Sequence, residues 1–165
     1  MSGKKVLCVY YSRTGKTRSA MTGIAQALNG ELLEITDGVK RNGLLGAARS
    51  CLDAVRKSTR FLDKIEMKHP IAEYDLVILG TPVWAGRCSS IMREFLKKYG
   101  RDLKRVAYVI TRASERVRYE QVYEQMDLYT AAPHLCAVSL RGGDEGEMFW
   151  REEFIKEVNK VLIEE

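Results

Sequence analysis

Val6-Leu7-Cys8-Val9-Tyr10-Tyr11 is an apolar run of strand length, and Ser12-Arg13-Thr14-Gly15-Lys16-Thr17 follows it without a break. Met21, Ile24, Ala25 and Leu28 come next, spaced i, i+3, i+4 and i+7 along one helix face. The hexapeptide therefore joins a buried strand to a helix N-terminus. Such a place binds anions, because the amides of the first turn point outward and the helix dipole adds positive potential. Three hydroxyls, one glycine and the cations of Arg13 and Lys16 crowd the loop, which suits a phosphate. The other use of Thr14 or Thr17 is to cap the helix.

Two nucleotide motifs are excluded here. Gly15-Lys16-Thr17 ends like a triphosphate loop, but that motif needs a glycine where Tyr10 stands. The dinucleotide pattern G-x-G-x-x-G is absent from the loop.

Apolar patterns alternate along the rest of the chain. Glu31-Leu32-Leu33-Glu34-Ile35-Thr36 reads as a strand. Residues 42–57 read as a helix through Leu44, Leu45, Ala48, Leu52 and Val55. A strand, Asp75-Leu76-Val77-Ile78-Leu79-Gly80, and a helix over residues 91–99 follow. The strand Arg105-Val106-Ala107-Tyr108-Val109-Ile110-Thr111 precedes a helix over residues 117–129, with Val122 and Met126 inward. Residues 134–140 form the last strand. Residues 147–163 form the last helix, with Phe154, Ile155, Val158, Val161 and Leu162 on one face. Strands apolar on both faces belong to a parallel sheet covered on both sides by helices. The expected fold is thus an α/β three-layer sandwich with five parallel strands in the order 2-1-3-4-5. That order opens a crevice at the carboxyl ends of strands 1 and 3.

Composition bounds the function. With 165 residues, 45% hydrophobic and 30% charged, and only three prolines, the chain reads as a single soluble domain over residues 1–165. No apolar run is long enough to cross a bilayer, and the run behind Lys4 and Lys5 is a strand rather than a signal peptide, so a cytoplasmic location is expected. Four scattered cysteines and two histidines predict no metal site. The net charge of +5 favours acidic partners, while the absence of any DNA- or RNA-binding motif argues against nucleic acid. Residues 40–60 hold Lys40, Arg41, Arg49, Arg56, Lys57 and Arg60 against one acid, Asp53. They read either as a solvated face or as a dock for an acidic partner or anionic substrate.

The loop after Gly80 is Thr81-Pro82-Val83-Trp84-Ala85-Gly86-Arg87-Cys88-Ser89-Ser90. An indole at the carboxyl edge of a sheet either stacks on a planar ligand or packs on the next helix. Residues 6–17 and 74–96 together resemble the phosphate loop, third strand and flavin-contacting loop of the flavodoxin family, and Gly43-Leu44-Leu45-Gly46-Ala47 resembles a helical segment of one bacterial branch. The resemblance implies FMN as cofactor, with phosphate contacts from Ser12, Arg13, Thr14, Gly15, Lys16 and Thr17. It implies flavin-ring contacts from Thr81, Pro82, Val83, Trp84, Ala85 and Gly86. Backbone groups near Ala85 and Gly86 would bond the central-ring nitrogen. The third contact loop of the family falls at Thr111-Arg112-Ala113-Ser114-Glu115-Arg116, where neither the usual glycine nor an aromatic stands. Arg112, with its planar fork, is the candidate to compensate. Three functions stay open: an FMN oxidoreductase reducing a quinone-type acceptor with NAD(P)H as donor, an electron carrier that docks on redox proteins, and a flavodoxin-fold binding protein that has weakened or lost FMN.

Overall fold

The computed structural model describes residues 3–56 and 62–164. Its strands are β1 (Val6–Tyr10), β2 (Glu31–Glu34), β3 (Leu76–Trp84), β4 (Arg87–Cys88), β5 (Val106–Arg112) and β6 (Cys136–Arg141). Five of them pair in parallel in the order β2-β1-β3-β5-β6. The expected topology is therefore present. A sixth strand, the two-residue β4, pairs antiparallel with the end of β3. Helices α1 (Lys16–Ala27), α2 (Gly43–Arg56), α3 (Ser90–Tyr99) and α4 (Gln121–Asp127) connect the strands, and α5 (Glu145–Ile163) follows β6.

Alternation along β1 shows how one sheet serves two cores. Leu7 and Val9 point into a cluster with Ile91, Met92, Phe95, Val122 and Met126 from α3 and α4. Val6, Cys8 and Tyr10 point the other way, onto Met21 and Ile24 of α1 and Phe154 and Val158 of α5. Gly80 lets α1 press on β3, since a Cβ there would lie 2.6 Å from Cγ and Sδ of Met21.

Several expected boundaries move. The second strand stops at Glu34, and only Gln121–Asp127 of residues 117–129 is helical. The third strand does not end at Gly80 but runs on to Trp84, because the chain folds back at once into β4. The helix over residues 42–57 forms as α2, with Lys57 outside the described residues. Its orientation is the opposite of what its leucines imply. Gly46, Ser50, Asp53 and Ala54 face inward, while Leu44, Leu45, Leu52 and Val55 are exposed. The small residues at i, i+4 and i+8 permit close approach. A Cβ on Gly46 would come within 2.0 Å of the Arg41 carbonyl carbon, so the helix start can meet its own lead-in only with glycine there.

Cys8, Cys88 and Cys136 are buried and Cys51 is exposed. Burial pushes the Cys8 and Cys136 thiols up to about 12 and the Cys88 thiol up to about 11. Cys88 is therefore a packing residue of β4 rather than a reactive thiol. The native protein should show one fast thiol of its four towards a disulfide reagent near neutral pH, the other three appearing on unfolding. A second fast thiol in the native state would contradict this packing.

Candidate functional site

The carboxyl ends of β1, β3 and β5 and the N-terminus of α1 surround a cleft of about 200 Å3. It lies at the switch point, where β1 has β2 on one side and β3 on the other. Arg13, Thr14, Lys16 and Thr17 form one wall, Pro82, Val83 and Trp84 a second, and Thr111, Arg112 and Ala113 the third. The lining carries three cations and no carboxylate.

The first wall is an anion cradle built from the backbone. Ser12 Oγ accepts the Gly15 amide at 3.0 Å and curls the loop, and Gly15 takes φ 91°, a conformation glycine tolerates without cost. No side chain caps α1. Among the described residues the amides of Lys16, Thr17 and Arg18 have no acceptor, and the first amide used is that of Ser19, donating to the Gly15 carbonyl at 2.9 Å. The Thr14 side chain is exposed beside these amides. Thr17 is buried, and its hydroxyl pairs with that of Thr111 at 2.7 Å, tying α1 to the end of β5. Of the two loop cations, Arg13 donates to the Arg41 carbonyl at 3.4 Å and Lys16 lays its stem against Gly142.

The second wall is a hairpin. Ala85 and Gly86 turn it with φ of 49° and 70°, both in the left-handed region that two-residue hairpins of the right twist require. These two residues sit at its tip, outside the cleft lining, with the Gly86 carbonyl accepting from Gln125 Nε2 at 3.4 Å. Thr81 is fully buried. Its Oγ1 accepts the Ser89 amide at 3.0 Å and meets Ser89 Oγ at 3.1 Å, and Ser89 Oγ caps α3 by accepting the Met92 amide. It thus braces the hairpin from behind.

Trp84 lines the cleft yet is only 5% exposed. Tyr11 packs edge-on at 5.4 Å between ring centroids, and the Arg41 guanidinium lies 5.5 Å from the indole centroid. Arg41 is the residue that sequence reasoning misplaced, since it reads as one more surface cation. It is buried, donating both Nη groups to Asp37 at 2.8 Å and Nη2 to Asp53 at 3.1 Å. The hydrogen bonds it donates to Asp37 hold its pKa above the ordinary arginine value. The signal was Asp37, four residues ahead, together with an acid on the inward face of α2.

In the third wall two nitrogens of Arg112 are already engaged. Nε donates to Ser139 Oγ at 3.0 Å and Nη1 donates to the Ser114 carbonyl, while Ser139 Oγ donates to the Arg118 carbonyl at 2.6 Å. The aromatic missing from residues 111–116 comes later: Tyr119, at φ 58°, packs half-buried against the cluster that holds Trp84. Of the fourteen residues named from the sequence, nine line the cleft. Ser12 and Gly15 shape its loop, and Thr81, Ala85 and Gly86 shape its hairpin.

The flavodoxin family model matches residues 5–136. No curated protein matches in sequence. Among solved structures, a flavoprotein from Lactobacillus acidophilus in complex with FMN is 21% identical with a TM-score of 0.67, covering 89% of this chain and 98% of its own. A protein from Bacteroides uniformis is 23% identical with a TM-score of 0.72, covering 96% and 99%. A WrbA-like flavodoxin from Agrobacterium tumefaciens is 14% identical with a TM-score of 0.60, covering 97% and 98%.

Proposed function

The chain belongs to the flavodoxin family, and from that premise we propose that it binds FMN and passes electrons from NAD(P)H or a redox-protein donor to a quinone-type acceptor. The observation that carries the FMN reading is the uncapped start of α1, whose three amides without acceptors open into a cleft lined by cations and an indole. Those amides and the Thr14 hydroxyl would take the terminal phosphate, and Arg13 and Lys16 would add long-range attraction. Pro82, Val83 and Trp84 would wall the ring and keep water from it. Bound FMN supplies the electron chemistry, accepting one or two electrons; the protein sets affinity, orientation and potential.

The fit is unequal along the cofactor. The phosphate cradle is open, whereas Trp84 is covered by Arg41 and two nitrogens of the Arg112 fork are engaged elsewhere. FMN is therefore expected to bind more weakly than in a typical flavodoxin titrated side by side, with two or three ring hydrogen bonds worth about 0.5–1.5 kcal/mol each missing. An equal dissociation constant would mean that the third wall supports the ring.

Thr14→Ala should weaken FMN about ten- to a hundredfold, the worth of one hydrogen bond to a charged group, with little change in the melting of the apoprotein. A collapse of melting with affinity intact would make Thr14 a structural residue. Titrating stripped protein with FMN tests the cofactor reading. NAD(P)H oxidation with and without an added quinone then separates an enzyme from a carrier.

A further inference from the structure

The outward face of α2 carries the two most exposed large hydrophobic residues among those described. Leu44 is 91% exposed and Leu45 88%, with Leu52 and Val55 about half exposed. Leu45, Ala48, Leu52 and Val55 recur at 3-4-3 spacing, so they line one continuous stripe. Arg49 and Arg56, seven residues apart, run along one edge of it, both exposed and neither in an ion pair among the described residues. The one acid of the helix, Asp53, is turned inward onto Arg41. An apolar stripe with a purely basic edge is the pattern of a helix that lies in a membrane interface.

We propose that α2 docks the protein on an anionic bilayer, its leucines entering the interfacial layer and its arginines meeting lipid phosphates. No helix among the described residues is long and apolar enough to cross a membrane, so the contact is peripheral. Charge disfavours a second copy as the occupant, because pairing two α2 faces sets Arg49 and Arg56 against the same arginines with no exposed acid on either helix. An acidic protein is a poorer match, because protein hot spots are rich in Trp and Tyr and poor in Leu and Val, and this stripe is aliphatic. The start of α2 lies near the cleft: Leu44 follows Arg41 by three residues, and the Arg41 guanidinium covers Trp84. Docking thus brings the cleft to the bilayer surface, where a lipid-soluble quinone resides. That last link rests on the proposed function, whereas the docking does not.

Sedimentation with vesicles tests it, using the protein with and without added FMN. Vesicles of phosphatidylcholine with phosphatidylglycerol should carry the protein down, and phosphatidylcholine alone should carry much less. Leu44→Glu/Leu45→Glu should weaken the association at least about tenfold. Arg49→Gln and Arg56→Gln should each weaken it about fivefold and flatten its salt dependence. All four side chains are exposed, so melting temperatures should hold and serve as the folding control. No sedimentation with anionic vesicles, or sedimentation that survives the leucine variant, would overturn the proposal. So would a dimer, seen by light scattering, that the leucine variant splits while vesicles bind nothing. The same holds if vesicles bind nothing and electron exchange with a soluble acidic carrier is what the variants slow. Vesicle binding without any FMN binding would leave the docking standing and remove the flavin reading alone.

Discussion

Arg41→Ala should cost the protein about 3–5 kcal/mol of stability, the usual effect of removing one member of a buried ion pair. Arg41 holds both carboxylates of its surroundings at once, bidentate on Asp37 at 2.8 Å and on Asp53 at 3.1 Å. All three side chains are nearly inaccessible to solvent. Taking away the guanidinium removes the cation that Asp37 and Asp53 share. It also strips Trp84 of the cation over its face and opens the packing between the lead-in of α2 and the cleft wall. Arg41→Lys retains the charge but not the fork, and should cost less. Urea unfolding of the three proteins measures the difference. An unfolding free energy for Arg41→Ala within about 0.5 kcal/mol of the wild type, a typical surface effect, would show that the triad is solvated rather than buried. The prediction matters for function because the same residue links α2, and with it the exposed stripe, to the cleft.

Most of the architecture was legible because strand runs and helix stripes are local signals. The order of apolar runs and the two loops at the switch point were enough to place the cleft. What escaped were properties that depend on a partner far along the chain. The leucines of α2 mark a helix correctly, but periodicity does not say which face meets the core. The face that does is the one with Gly46, Ser50 and Ala54, where smallness rather than hydrophobicity permits contact. Trp84 reads as a loop residue because β4 is only two residues long, too short to read as a strand. The hairpin it closes draws the indole in against Tyr11. Ser12 reads as a phosphate ligand, and its oxygen also accepts the Gly15 amide, which shapes the turn and leaves the hydroxyl proton to donate. A hydroxyl-rich loop announces that an anion is welcome; which hydroxyl faces it is decided by the loop's own hydrogen bonds.

FMN should bind more tightly than riboflavin by roughly thirty- to a thousandfold, because the site's best-formed part is the part that riboflavin cannot use. The amides of Lys16, Thr17 and Arg18 have no acceptor among the described residues, and they are aligned by the helix that follows them. Hydrogen bonds to a charged group are worth about 1.5–3 kcal/mol each, and the three share one phosphate, so the sum is not additive. Half of it, about 2–4 kcal/mol, gives the stated range. Arg13 and Lys16 add attraction that salt screens, so part of the preference should fade as ionic strength rises, while the amide share persists. FAD should also lose to FMN, since its phosphate next to the ribityl chain is tied into a pyrophosphate, with less charge on that phosphate and no free end to enter the helix start. Titration of stripped protein with the three flavins, followed by flavin fluorescence at two salt concentrations, reads all of this at once. Equal affinity for FMN and riboflavin would mean that the start of α1 grips no phosphate. A preference that vanishes entirely at high salt would assign the grip to the two side-chain cations instead of the backbone.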